Sequence, residues 1–203
     1  RQLLSEEEDS KIIGITRSKA RHDAIRQTIP TAHCHRLELL TRDEALSQTF
    51  PKARNVVFCA PPLGPEDYVT EIATAAKLFW QGRDGEDEEN GILLLTSSGG
   101  VYTTEEDVVT EDTPTPLDTT NARVARLLAG ESACASVGGC IMRLAALYRL
   151  ELGAHTWYLL PPTNDGNDDE AMSSRLGSNP HSLVNLLHYE DAAAAVRAAL
   201  RAG

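Results

Sequence analysis

The sequence predicts an α/β fold built on a doubly wound parallel sheet, and three observations lead there. Short apolar runs recur along the 203 residues, among them Ile12-Ile13-Gly14-Ile15, Val56-Val57-Phe58 and Ile92-Leu93-Leu94-Leu95; their length and β-branching suit strands. Stretches of helix formers separate these runs, and strands alternating with helices favour a parallel sheet. In the segment 91–102 an apolar run gives way to Thr96-Ser97-Ser98-Gly99-Gly100, the pattern of a strand buried on both faces that ends where the backbone leaves the sheet. Ligands of open α/β sheets bind beyond the carboxyl ends of the strands. Ser97 and Ser98 therefore stand where a cofactor or substrate would lie, the alternative being a plain turn whose hydroxyls serve local backbone.

Taken in order, residues 11–16 form a first strand and 19–28 a helix that stops ahead of Pro30. Residues 34–39 read as a second strand, 43–50 as a short helix, and 55–60 as a third strand stopped by Pro61-Pro62. A helix over 66–80 sets Tyr68, Ile72, Ala75, Ala76 and Phe79 on one face. An acidic loop, 82–90, leads to the apolar run Ile92-Leu93-Leu94-Leu95. Residues 103–118 are irregular, Thr119 or Thr120 caps a helix reaching about Ser136, and 139–144 is a fifth strand. Residues 152–160 hold a short extended piece, and 161–180, rich in Asn, Asp, Ser and Gly, reads as a flexible surface loop. An extended segment at 183–188 precedes an alanine-rich helix at 190–201. The length suits a single domain, 1–203.

The formal net charge of −11 argues against nucleic acid and anionic membrane surfaces as partners. No apolar run approaches the roughly 20 residues of a membrane span. Cys34, Cys59, Cys134 and Cys140 form no Cys-x-x-Cys and read as reduced thiols. His33-Cys34-His35 has no second ligand pair at zinc spacing, so no metal is expected.

The segment 55–62 followed by Tyr68, then Leu94-Leu95-Thr96-Ser97-Ser98-Gly99-Gly100-Val101-Tyr102, then Val109-Thr110-Glu111-Asp112-Thr113-Pro114, resembles the extended short-chain dehydrogenase/reductase group. More narrowly it is similar to the atypical, NAD-dependent epimerase/dehydratase-like members. Arg143-Leu144-Ala145-Ala146-Leu147-Tyr148 and Asn185-Leu186-Leu187-His188-Tyr189-Glu190-Asp191-Ala192 resemble later blocks of that pattern. Gly153-Ala154-His155-Thr156-Trp157-Tyr158-Leu159 resembles a segment of plastid-type members. The resemblance covers about residues 11–200. It implies a Rossmann sheet, an NAD(P) cofactor, an oxidoreductase-like activity on a small molecule that no residue names, a place in the chloroplast stroma or the cytoplasm, and a homo-oligomer or protein partner.

The resemblance places Thr16-Arg17-Ser18 at the end of the family's second strand. An Arg there accommodates a 2′-phosphate, which favours NADP over NAD. Ala60-Pro61-Pro62 would line the cofactor on its other side, with Ser97 beside it. Ser98 falls at the catalytic serine, four residues before Tyr102. With Glu131 taken as the family's helix glutamate, the catalytic tyrosine and lysine positions fall on Arg123 and Leu127. Arginine stays protonated and leucine has no titrating group, so the sequence predicts impaired or unusual oxidoreductase chemistry. The alternative is a non-catalytic Rossmann module, a sensor or a subunit of a larger assembly. Tyr102 and Tyr148 are the nearest substitute acids by sequence, without a lysine four residues on. The Gly-x-x-Gly-x-x-Gly turn after the family's first strand has no counterpart here. The sheet is therefore expected to be incomplete at its N-terminal side, the chain a fragment, and cofactor binding by it weak or absent. His188 and Asp191 read as the cap of the last helix.

Overall fold

The computed structural model describes residues 11–34, 36–62, 67–82, 91–102, 109–116, 118–150, 152–153 and 185–202. Strand β1 (Ile12–Thr16) is followed by a 3-10 turn (Lys19–Arg21), helix α1 (His22–Thr28), a short helix α2 (Thr31–Cys34), β2 (Leu37–Thr41) and α3 (Arg42–Leu46). Next come β3 (Val56–Phe58), α4 (Tyr68–Phe79), β4 (Leu93–Ser98) and a 3-10 turn (Gly99–Val101). Helix α5 (Ala122–Ser136) leads to β5 (Cys140–Leu144), β6 (Ala146–Arg149) and β7 (Leu152–Gly153), and β8 (Leu186–His188) precedes α6 (Tyr189–Ala202).

The chain is mixed α/β with parallel pairing. Its described strands gather in three small sheets, β1-β2, β3-β4-β5 and β7-β6-β8. All pairs are parallel except β6 with β7.

The core forms where β4 lies between two parallel neighbours. Leu93, Leu94 and Leu95 are each 1% exposed, as expected of a strand covered on both faces. Helices α4 and α5 pack over one face, where Tyr68, Ile72, Ala76, Trp80 and Cys134 join Leu93 and Leu95. The face anticipated for α4 is the buried one: Tyr68, Ile72, Ala75 and Ala76 are buried and Phe79 half-buried. Gly130 lets the two helices meet closely, because a Cβ there would lie 2.5 Å from Tyr68 Cε1 and 3.0 Å from Ile72 Cδ1. Beyond α5 the chain turns through Gly138 at φ 80°, a left-handed conformation that suits glycine.

The structure corrects several local expectations. The second strand is Leu37–Thr41, and Cys34 ends the short helix α2 that follows Pro30. Leu39 and Leu40, 8% exposed each, supply the buried pair that fixes this strand. Asn121, rather than Thr119 or Thr120, caps α5: its Oδ1 accepts from both Arg123 N and Val124 N, while Thr119 Oγ1 accepts from Asn121 N. Helix α3 begins one residue early on a capping box, with Thr41 and Glu44 exchanging side-chain and backbone bonds. Strand β6 was not anticipated; Ala145 interrupts the extended path and passes it to another sheet. The expected cap of the last helix is present, His188 Nδ1 accepting from Glu190 N at 3.3 Å. The loop expected at 161–180, residues 83–90 of the acidic loop, residues 154–160 of the expected extended piece, the His33 side chain and His35 lie outside the described residues. Among the described residues no helix is long and apolar enough to cross a membrane.

Candidate functional site

At the carboxyl end of β4, successive side chains turn to opposite faces. Ser97 is buried, 7% exposed, and its Oγ donates to Glu131 Oε1 at 2.6 Å. Ser98 faces the other way and its Oγ accepts from Gly100 N at 3.1 Å, capping the turn that carries the chain to Tyr102. Ser97 thus points toward α5, while Ser98 stands at the strand end.

Glu131 sits within the buried face of α5, only 4% exposed. A carboxylate in that position needs charged partners and hydrogen bonds. Arg143, the neighbour of Ser97 in the β4–β5 register, provides them. Its Nη2 lies 2.6 Å from Oε2, and its Nε lies 3.1 Å from Oε1 and 3.2 Å from Oε2. The remaining arm, Nη1, donates to the Tyr102 hydroxyl at 2.6 Å. The Glu131 carboxylate holds the guanidinium well above its usual basicity, burial opposing and the Tyr102 bond adding to the effect. The result is a chain of polar groups, Ser97–Glu131–Arg143–Tyr102, that runs from the core outward and ends on a half-buried phenol.

The second group of expected residues lies at the carboxyl ends of β1 and β3. Arg17 leaves the end of β1 and its Nη2 donates to Pro61 O at 3.2 Å. Two segments expected to line one cofactor, Thr16-Arg17-Ser18 and Ala60-Pro61-Pro62, are thereby brought together. Arg17 also lies 3.5 Å from Glu71 Oε2, a carboxylate it shares with Arg42 at 2.9 Å. Thr16 Oγ1 is 2.7 Å from His22 Nε2 and donates to Ser18 O, so it ties β1 to the buried His22. Ser18 is exposed, and its side chain makes no capping bond to the following turn. Behind Pro61, the Tyr68 hydroxyl donates to Ala60 O at 3.1 Å and fixes that turn. Burial, chiefly, and the Glu71 charge push the Tyr68 phenol up to about 12, so it remains a donor throughout the ordinary pH range. The ends of β3 and β4 are joined through Thr96 Oγ1 and Phe58 O, 3.5 Å apart.

Arg123 and Leu127 do not form a proton-transfer pair. Leu127 is 5% exposed in the core, and Arg123 lies on the exposed face of α5. Sequence reasoning used Glu131 only as a register mark and Arg143 only as part of a block, and missed that they bind each other. The signal was an acid amid Val124, Leu127, Gly130 and Cys134, all of them buried in α5.

As a test of fit, the Arg17 guanidinium and the Ser18 hydroxyl suit a phosphate monoester, which must displace Arg17 from Glu71. The described residues hold no glycine-rich turn at a helix N-terminus that would take a pyrophosphate. Among them, too, no group of three or more His, Cys, Asp and Glu could hold a metal ion. No family model, no curated protein and no solved structure matches this chain.

Proposed function

We propose that this chain is an NADP(H)-binding module of Rossmann type, similar to atypical NAD-dependent epimerase/dehydratases, with unusual oxidoreductase chemistry. The hydrogen bond from Arg17 to Pro61 O carries the reading, because it joins the two segments that the resemblance sets on either side of one cofactor. Parallel strands with these residues at their carboxyl ends support it further. Arg17 and Ser18 would hold the 2′-phosphate, and Ala60, Pro61 and Pro62 the other side of the nucleotide. The bound nicotinamide supplies a hydride acceptor or donor. At the end of β4 the Ser98 hydroxyl would hydrogen-bond a substrate oxygen, and Tyr102, oriented by Arg143, would hold a proton beside it.

Calorimetry with NADPH and NADH tests this reading. Tighter binding of NADPH, lost selectively in Arg17→Glu, is the expected result. Absence of heat with either nucleotide counts against it.

A second reading, a binding module without turnover, is favoured by Leu127 in the core where a lysine is needed. NADPH oxidation with carbonyl or nucleotide-sugar substrates that vanishes in Ser98→Ala would overturn this second reading. NADPH binding without turnover would favour it.

A further inference from the structure

We propose that Arg42 is a positioning residue for the phosphate site of Arg17: it keeps Glu71 neutralised, so that Arg17 can pass from that carboxylate to a phosphate monoester. The inference rests on the reading that Arg17 takes a phosphate group, and it adds the exchange of partners by which that group is admitted.

The two arginines leave the sheet side by side. Thr16 and Thr41 are register partners at the carboxyl ends of β1 and β2, and Arg17 and Arg42 each follow by one residue. Both side chains reach Glu71, in the first turn of α4. The carboxylate is held unequally. Arg42 Nη1 donates to Oε1 at 2.9 Å, a full hydrogen bond. Arg17 Nη2 stands 3.5 Å from Oε2, beyond the usual range of an N–H···O bond, and donates instead to Pro61 O at 3.2 Å.

Burial makes this inequality matter. The Glu71 side chain is 9% exposed, while those of Arg17 and Arg42 are 39% and 41% exposed. A carboxylate so far removed from water must keep a charged partner. With Arg42 in place, Arg17 can turn its guanidinium to an incoming dianion and leave no buried charge stranded. Without Arg42, the same turn would strand Glu71. Among the described residues the contacts of Arg17 use Nη2, so Nε and Nη1 remain for the side-on grip that suits a phosphate. Pro61 O holds the guanidinium near the strand end whichever anion it serves.

Calorimetry of phenyl phosphate and of NADPH tests the exchange, on the whole 203-residue chain and its variants. Glu71→Gln keeps an acceptor for Arg42 and removes the charge that competes for Arg17, so binding is expected to tighten about tenfold. Arg42→Gln is expected to weaken binding about tenfold, and Arg42→Lys to retain most of it. In the Glu71→Gln background, Arg42→Gln is expected to have no effect. That result separates positioning from contact. A loss of equal size in both backgrounds would mean that Arg42 touches the phosphate itself, and would overturn the exchange. So would an Arg17→Gln chain that, without ligand, loses as much stability in urea as Arg42→Gln, because Glu71 would then depend on both arginines alike. Phenyl phosphate binding with this coupling, but no NADPH binding, would leave the exchange standing and end the cofactor reading. NADPH binding without the coupling would do the reverse, and binding of neither would overturn both.

Discussion

Arg143 grips Glu131 side-on, with Nη2 2.6 Å from Oε2 and Nε 3.1 Å from Oε1, and it does so from the strand that pairs with Ser97. Both charges are removed from water to a large extent, with side-chain exposures of 25% and 5%. Breaking such a pair from one side leaves the other charge stranded and costs about 3–5 kcal/mol, more than the pair itself contributes. Arg143→Met is therefore expected to destabilise the chain by that amount in urea unfolding. Arg143→Met with Glu131→Leu is expected to recover most of the loss. Equal stability of Arg143→Met and the original chain would show that Glu131 is solvated.

The Glu44 carboxylate, beside Lys19 and bonded to Thr41 N, is lowered from 4.5 to about 2, the Lys19 contact being the largest cause. A carboxyl whose folded value lies below its unfolded value stabilises the fold above the unfolded value. That contribution is lost as pH falls from about 4.5 toward 2. The difference in melting temperature between the original chain and Glu44→Gln should shrink across that window, as followed by circular dichroism. A constant difference would refute the assignment.

Gly130→Ala places a methyl where the Tyr68 ring already lies. Overpacking of this kind costs about 1–3 kcal/mol, which in a chain of this size lowers Tm by roughly 2–4 °C per kcal/mol. Tyr68→Phe removes the hydroxyl that holds Ala60 O and is expected to cost about 1 kcal/mol.

Leu94→Ala deletes a side chain that is 1% exposed between two strands. Such truncations cost about 2–5 kcal/mol, to be read as a lower urea midpoint with unchanged slope.

Burial, first of all, pushes the Cys134 thiol up to about 11, and the residue is 0% exposed. Thiolate is the reactive form. Iodoacetamide at pH 8 should therefore leave Cys134 unmodified in the folded chain and label it in urea, with mass spectrometry as the readout.

Much of the scaffold was legible because strand and helix periods are local properties. The runs at Ile12, Val56 and Leu93 are strands, and the Tyr68–Ile72–Ala76 stripe is a buried helix face. The capping box of α3 was also written in the sequence, as Thr41 and Glu44 at the required spacing. The Arg17–Pro61 and Glu131–Arg143 contacts were not legible, since each depends on elements that meet only when the sheets form. The helix at Thr31–Cys34 escaped because a four-residue turn after proline has too few residues to display a period.

The central position of β4 also constrains the order in which the chain can assemble. Leu94 has Val57 on one side and Cys140 on the other, so its two neighbours come from far earlier and far later in the polypeptide. Pairings between such distant residues close large loops before any reward is gained, which slows folding. During synthesis, Leu93, Leu94 and Leu95 emerge with one flank uncovered and stay so until Cys140–Leu144 arrives, the interval in which the nascent chain is most open to aggregation.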